Sequence, residues 1–217
     1  MTLDRDPQYP AEPVQNLFSL GDRHTAALVL TGPRSVGKTT VAQLLSAQLG
    51  IAWYDTDVLV DTALQQRYSH ELSPPTGEPL PYLAKAMQLT RFEWISEVLE
   101  ESCLRLAASP ANFILAAAGG AFSYPATAQA LHKMGIVLGI MPAPTIEDSA
   151  TVLQAREISR PHFQMLSAAD VAARCRAHVE QVFQILEDHA DDTLHVGTNS
   201  PEAVTQLITS RYTHPAG

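Results

Sequence analysis

A short run of glycine and polar residues has the types and spacing needed to hold phosphate groups. It reads Gly32-Pro33-Arg34-Ser35-Val36-Gly37-Lys38-Thr39-Thr40. A glycine, four residues, then Gly-Lys and Ser or Thr form the phosphate-binding P-loop pattern. The glycines permit a backbone nest whose N–H groups point at phosphate oxygens; the lysine reaches the β- and γ-phosphates, and the threonine hydroxyl binds Mg²⁺. We therefore assign 32–40 to nucleotide binding, with Lys38 catalytic and Thr39 a metal ligand.

The flanking residues supply the strand and the helix that a P-loop requires. The apolar run 26–31 predicts a strand, and apolar residues from Val41 to Leu49 fall on one stripe of a helix that ends at Gly50. The positive end of that helix would face the phosphates. The alternative is an ordinary strand-turn-helix unit in which Gly-Lys-Thr occurs by coincidence.

A pair of carboxylates follows the next predicted strand, 51–54. Asp55 and Asp57 stand directly after it. Because ligands bind at the carboxyl ends of parallel strands, both face the same crevice as the phosphate loop. One carboxylate can hold a Mg²⁺ water and the other can accept a proton from an attacking hydroxyl. The alternative is a helix N-terminus that carries aspartates for capping.

Strand and helix patterns alternate five times along the chain. The predicted strands are 26–31, 51–54, 112–117, 136–141 and 193–196. The predicted helices are 38–49, 58–67, 82–107, 124–133, 146–155, 168–190 and a last one that opens at Ser200-Pro201. This alternation predicts an α/β fold with a five-stranded parallel sheet flanked by helices on both faces, in three α/β/α layers.

Two further segments have the composition of binding loops. Gly119-Gly120 follows the third strand, where the backbone must approach either a neighbouring helix or a ligand. The charged, proline-broken run 156–163 is either a mobile lid that carries arginine to a transferring phosphoryl group or a plain surface loop.

Composition limits the classes of function. The chain has 217 residues, 46% hydrophobic and 17% charged, with a net charge of −9, which argues against a nucleic-acid partner. It has no apolar run long enough for a membrane span and no signal-peptide pattern, so we expect a cytoplasmic protein without membrane contact. Cys103 and Cys175 lack metal-ligand spacing and are predicted to be buried thiols. Residues 1–22 are predicted to be a flexible extension with a short helical piece at 14–20, ahead of a single domain at 23–217.

The order and spacing of these motifs resemble the shikimate kinase family, which belongs to the P-loop folds similar to nucleoside monophosphate kinases. The matching positions span about 25–210 and are Gly32–Thr39, Asp55-Thr56-Asp57, Gly119-Gly120 and Arg160-Pro161. The resemblance implies ATP- and Mg²⁺-dependent phosphoryl transfer to the 3-hydroxyl of shikimate, a small carboxylate-bearing alcohol. We expect a monomer.

The resemblance further implies a role for each matching position. Asp55 would hold a Mg²⁺ water, Asp57 would contact the substrate hydroxyls and serve as base, and Arg160 would be the lid arginine of a lid at about 156–167. The substrate would be bound by Arg91, Gly119, Gly120 and Arg174. Arg91 falls in an acceptor-binding insert at about 58–95, and the other three residues follow it. Pro201 would lie on the adenine side.

The acceptor half departs from the family pattern. The family has a glutamate three residues after its arginine, and no glutamate stands at that distance from Arg91. Ala118 replaces the first glycine of the family's triple glycine, and Arg176-Ala177-His178 stands where the family has Pro-Leu-Tyr. We expect Arg91 to lack a partner that orients it. Two other functions therefore stay open: a P-loop kinase for another hydroxylated small molecule, and a nucleotide-binding regulatory module with little transfer activity.

Overall fold

The structure is a computed structural model, and it describes residues 16–158 and 166–213. The strands are β1 (Phe18–Leu20), β2 (Arg23–Thr25), β3 (Ala27–Thr31), β4 (Ala52–Asp55), β5 (Phe113–Ala116), β6 (Gly135–Met141) and β7 (Asp192–His195). The helices are α1 (Lys38–Leu49), α2 (Thr56–Tyr68), α3 (Pro81–Gln88), α4 (Phe92–Ala107), α5 (Pro125–Met134), α6 (Ile146–Glu157), α7 (Ala168–His189) and α8 (Pro201–Tyr212), with a 3-10 helix at Gly119–Ser123.

The central sheet of the described chain has five parallel strands in the order β4-β5-β3-β6-β7. In its middle strand, Val29 lies between Leu115 of β5 and Val137 of β6. The sheet order places β3, which leads into the P-loop, next to two fully buried strands. The predicted parallel α/β sheet is confirmed.

Side chains of the sheet alternate between two hydrophobic layers, because successive residues of a strand point to opposite faces. On β5, Phe113 and Leu115 join the cluster formed with α2, α3, α4 and α5. Ile114 and Ala116 join the cluster formed with α1, α8 and β1. The prediction of helices on both faces is therefore confirmed. Both cysteines are buried free thiols, as predicted.

The single long helix predicted at 82–107 is wrong, because the chain breaks between α3 and α4. Thr90 has a φ of 52°, in the left-handed region. The N–H of Arg91 donates to the carbonyl of Ala86 at 2.9 Å, which is the bond that closes a helix end of the Schellman type. Glycine usually occupies this left-handed position, so a threonine there gave no sign of the break.

The N-terminal segment of the described chain packs as a hairpin. β1 pairs with β2 antiparallel, and Phe18 is fully buried against the layer that contains α8. The helical piece predicted at 14–20 is therefore wrong at 18–20, because Phe18 supplies a core side chain from a strand. Residues 1–15 lie outside the described chain. Within the described residues, no helix is long and apolar enough to cross a membrane.

Candidate active site

The P-loop backbone turns sharply between β3 and α1. Gly32, Ser35 and Gly37 have φ values of 140°, 62° and 103°. A Cβ added to Gly32 would stand 2.2 Å from the carbonyl oxygen of Ile140, so only glycine fits against β6. At Gly37 an added Cβ meets nothing within 4 Å, which leaves open space at the N-terminus of α1. Such a backbone nest with open space beside it fits phosphate oxygens.

The Lys38 ammonium folds back over this loop. Its Nζ donates to the carbonyl oxygens of Gly32 and Pro33, both at 2.9 Å. Burial lowers the pKa of Lys38 to about 8, although the carboxylates of Asp57 and Asp55 oppose the shift. The ammonium is thus mostly charged at neutral pH, and it rests on carbonyls that a phosphate could replace.

Asp55 links the loop to the end of β4. Its Oδ2 accepts a hydrogen bond from the Thr39 hydroxyl at 2.8 Å, and its Oδ1 accepts from the Asp57 N–H at 2.9 Å. The second contact is the N-cap of α2. The same carboxylate therefore caps α2 and contacts the threonine of the P-loop. A hydroxyl beside a carboxylate is a donor set that suits Mg²⁺, which binds oxygen ligands.

Asp57 lies in the first turn of α2, next to Asp55 and Lys38. Burial raises the pKa of Asp57, the charge of Asp55 raises it further, and Lys38 lowers it. A carboxylate with a raised pKa is a better proton acceptor when it is ionised. The structure thus brings together four of the predicted site residues, namely Lys38, Thr39, Asp55 and Asp57.

The loop after β5 closes one side of the site. The Ala118 N–H donates to the buried Thr56 hydroxyl at 2.9 Å, which joins the ends of β5 and β4. A Cβ added to Gly119 would lie 3.4 Å from the Gly32 carbonyl oxygen and 3.3 Å from the side chain of Val182 on α7. Gly119 therefore approaches both a helix and the P-loop, while Gly120 borders open space.

Arg91 lies at the N-cap of α4, and its side chain is 50% exposed. The expectation that it would lack an orienting partner is wrong. Its guanidinium stands 5.0 Å from the centre of the Trp94 ring and its Nη1 is 3.7 Å from Glu93 Oε1. Trp94 in turn stacks on Tyr68, with ring centres 4.3 Å apart. The arginine is therefore held from its own helix by a cation–π contact and a nearby carboxylate.

The remaining predicted site residues lie in the P-loop, on three helices or outside the described residues. Arg174 is exposed on α7, one helical turn before His178. Pro201 is the first residue of α8, whose N-cap is Ser200 as predicted. Val36 is buried in the α1 layer and Thr40 is exposed in α1. Arg160 lies outside the described residues.

Sequence reasoning missed two residues that hold the P-loop. His178 on α7 accepts a hydrogen bond at its Nε2 from the Arg34 N–H at 3.2 Å. Glu157, which is 1% exposed, accepts from the Ser35 hydroxyl. Its Oε2 also lies 3.7 Å from Arg34 Nε. Residues 156 and 157, expected in a charged loop, belong to the last turn of α6. Neither contact has a local sequence signal, because the partners stand more than a hundred positions apart.

His178 and Lys38 hold opposite sides of one peptide unit. The N–H of Arg34 points at His178, while the Pro33 carbonyl of the same peptide accepts from Lys38. In a planar trans peptide the N–H and the C=O point in opposite directions. The helix α7 therefore sets the direction of a carbonyl on which the lysine rests.

Known proteins with similar sequences are shikimate kinases. No protein-family model matches the chain. A shikimate kinase of Thiobacillus denitrificans is 25% identical over 181 residues, which cover 83% of this chain and 87% of that protein. A shikimate kinase of Streptomyces coelicolor is 29% identical over 179 residues, which cover 82% of this chain and 91% of that protein.

The chain is similar to shikimate kinases in sequence and in fold. A solved shikimate kinase of Acinetobacter baumannii, in complex with shikimate, matches the fold with a TM-score of 0.60 at 20% identity, over 85% of this chain and 90% of that one. The positions that resemble shikimate kinase motifs include Gly32–Thr39, Asp55 and Asp57, and Gly119. These lie at the carboxyl ends of β3, β4 and β5, which is where an open parallel sheet binds its ligands.

Proposed function

We propose that the protein is an ATP-dependent shikimate kinase, which transfers the γ-phosphoryl group of ATP to the 3-hydroxyl of shikimate. The observation that carries the proposal is the group of Thr39, Asp55 and Asp57, joined by hydrogen bonds beside the P-loop carbonyls that Lys38 contacts. The shikimate kinase relatives support the same conclusion over more than four fifths of the chain.

On the nucleotide side, the loop 32–40 would hold the phosphates through its N–H groups and Lys38. Lys38 would leave its resting carbonyls and donate to the β- and γ-phosphate oxygens. Thr39 and Asp55, one directly and one through a water, would hold Mg²⁺. When bound, Mg²⁺ neutralises charge on the phosphate oxygens.

On the acceptor side, Asp57 would orient the attacking hydroxyl and take its proton. A bond then forms between the hydroxyl oxygen and the γ-phosphorus, and the bond to the β-phosphate oxygen breaks to release ADP. Arg91, Arg174, Gly119 and Gly120 would bind the acceptor, whose carboxylate matches the arginines. Arg160 would assist the transferring group as a lid residue.

A second candidate, a kinase for another hydroxylated small molecule, is favoured by the surroundings of Arg91. Its guanidinium lies over the Trp94 ring as well as 3.7 Å from Glu93 Oε1, which is a different setting from a carboxylate pair alone. A bulky aromatic pair of Tyr68 and Trp94 would shape an acceptor pocket differently from a small acidic side chain.

The deciding experiment is ADP release by the purified protein with Mg-ATP, with and without shikimate. Strong stimulation by shikimate is expected, at turnover in the ordinary enzymatic range. Stimulation by another hydroxylated acid but not by shikimate would favour the second candidate. Bound ATP with no release for any acceptor would contradict both and would favour a regulatory module. The Lys38→Met variant serves as the inactive control.

A further inference from the structure

One buried carboxylate that is neither a proposed substrate-binding residue nor a proposed metal ligand contacts the middle of the P-loop. Glu157 ends α6, its side chain is 1% exposed, and it is 122 positions from the serine whose hydroxyl it accepts. A buried carboxylate is costly unless it is paired and hydrogen-bonded. Here Ser35 donates to one oxygen and the Arg34 guanidinium lies 3.7 Å from the other. Both partners are P-loop residues.

Ser35 has a backbone conformation that is unfavourable for a residue with a side chain. Its φ of 62° lies in the left-handed region. Residues persist in such conformations when the surrounding contacts fix them. The Ser35 hydroxyl is fixed by Glu157, and the Ser35 carbonyl accepts from Arg156 Nη1 at 3.0 Å. The last turn of α6 therefore holds this residue at two atoms.

These two contacts set the direction of one N–H group of the nest. The Ser35 carbonyl and the Val36 N–H belong to the same peptide unit, so they point in opposite directions. Because the carbonyl points at Arg156 on α6, the Val36 N–H points away from that helix. A different conformation at Ser35 would turn this N–H and change how the loop presents donors to a phosphate.

We propose that Glu157 is a positioning residue of the nucleotide site, which acts through the Ser35 hydroxyl to hold the P-loop in its phosphate-binding shape. The inference rests on the proposed nucleotide site and adds to it a residue on α6. Glu157 touches no substrate atom in this scheme. It holds the donors of the loop ready before the nucleotide arrives, which lowers the cost of binding.

The test is the affinity for ADP with Mg²⁺, measured by titration calorimetry well below the melting temperature. Glu157→Ala is expected to raise the Kd about tenfold, and Ser35→Ala to raise it similarly, since each removes the same contact. The double variant should then match Glu157→Ala, which also removes the contact with Arg34. Ser35→Gly is expected to bind more tightly than Ser35→Ala, because glycine adopts a positive φ without strain. Glu157→Gln should recover part of the affinity through its amide oxygen.

Controls separate positioning from stability. Glu187→Ala, an exposed glutamate on α7, should bind like the wild type. A merely structural Glu157 would lower the melting temperature and leave the Kd within twofold, which would overturn the inference. Multiplicative effects of Glu157→Ala and Ser35→Ala would overturn it as well. A wild type that binds no ADP overturns the proposed function and the inference together, whereas normal binding by every variant overturns the inference alone.

Discussion

The proposed phosphate side and the proposed acceptor side of the site are built differently. On the phosphate side, the loop 32–40 is held by α6, α7 and β4 through hydrogen bonds between distant parts of the chain. On the acceptor side, Arg91 has partners from its own helix, at Glu93 and Trp94, and it is half exposed. A site fixed from several elements resists change, while one fixed locally can be altered by a few substitutions. We therefore expect fewer substitutions to be tolerated among the phosphate-binding residues than among the residues that recognise the acceptor.

The largest expected effect is on the phosphate side. Lys38→Met should reduce phosphoryl transfer about a thousandfold or more, because the ammonium that neutralises negative charge on the transferring phosphoryl group is lost. The fold should survive, since Lys38 is a half-buried amine that packs no core. Single-turnover rates and melting temperature are the measurements. Lys133→Met, which removes an exposed lysine on α5, is the matched control; a similar loss in that variant would contradict the assignment.

Asp57→Asn should lower kcat about a hundredfold or more, with little effect on ADP binding, because the amide cannot accept the proton. In the wild type, kcat should fall with acid at a pH higher than an ordinary aspartate would give, since the pKa of Asp57 is raised by burial and by Asp55. Steady-state kcat profiles against pH test both statements. Asp188→Asn on the exposed face of α7 should leave the profile unchanged.

On the acceptor side, Arg91→Ala should raise the KM for the acceptor about tenfold and leave the KM for ATP unchanged. Trp94→Leu removes the cation–π contact and should raise the same KM by a smaller factor. Arg105→Ala, an exposed arginine in the last turn of α4, is the control. If Arg91→Ala instead weakens ATP binding, the two sides of the site are coupled. That result would contradict the statement that they are built independently.

The smallest expected effect concerns stability. His178 accepts from the P-loop as a neutral imidazole, and its pKa is lowered to about 4 by burial and by the cations of Arg34 and Lys38, against the opposing charge of Glu157. The unfolded state binds the proton near pH 6.5, so stability should be lost as the pH falls below that value. We expect a loss of about 1 kcal/mol by pH 5.5 relative to pH 8. Chemical denaturation at the two pH values measures it.

His178→Gln is the matched variant, because its amide oxygen can reach the position of the imidazole Nε2 and accept from the Arg34 N–H, but it does not titrate. The loss between pH 8 and pH 5.5 should be smaller in this variant by the amount that His178 contributes. An identical pH dependence in both proteins would assign the acid sensitivity to other groups.

The parts of the molecule that could be predicted from the sequence are those whose partners are close along the chain or marked by periodicity. The P-loop, the aspartates after β4 and the parallel sheet belong to this class, because apolar runs fix the strands and the residues after them share one edge. The predicted helix 146–155 ends two residues before α6 does, since the charged Arg156 and Glu157 have the composition of loop residues.

The parts that could not be predicted depend on contacts made only in the folded chain. Glu157 meets Ser35, and His178 meets Arg34, across 122 and 144 positions. Nothing in the pattern of α7 marks His178 as a partner of the loop. The break at Thr90 is of the same kind, because a non-glycine residue in a left-handed conformation is stabilised by its surroundings. The aromatic stack under Arg91 also joins two helices, α2 and α4.

The first and last strand-like residues of the described chain meet. Phe18 of β1 forms an isolated bridge with Thr213, and its ring is buried in the layer that contains Tyr212 of α8. During synthesis on the ribosome, which proceeds from the N-terminal end, Phe18 emerges long before its partners. The hydrophobic layer on that side of the sheet therefore stays incomplete until residue 213 has left the exit tunnel.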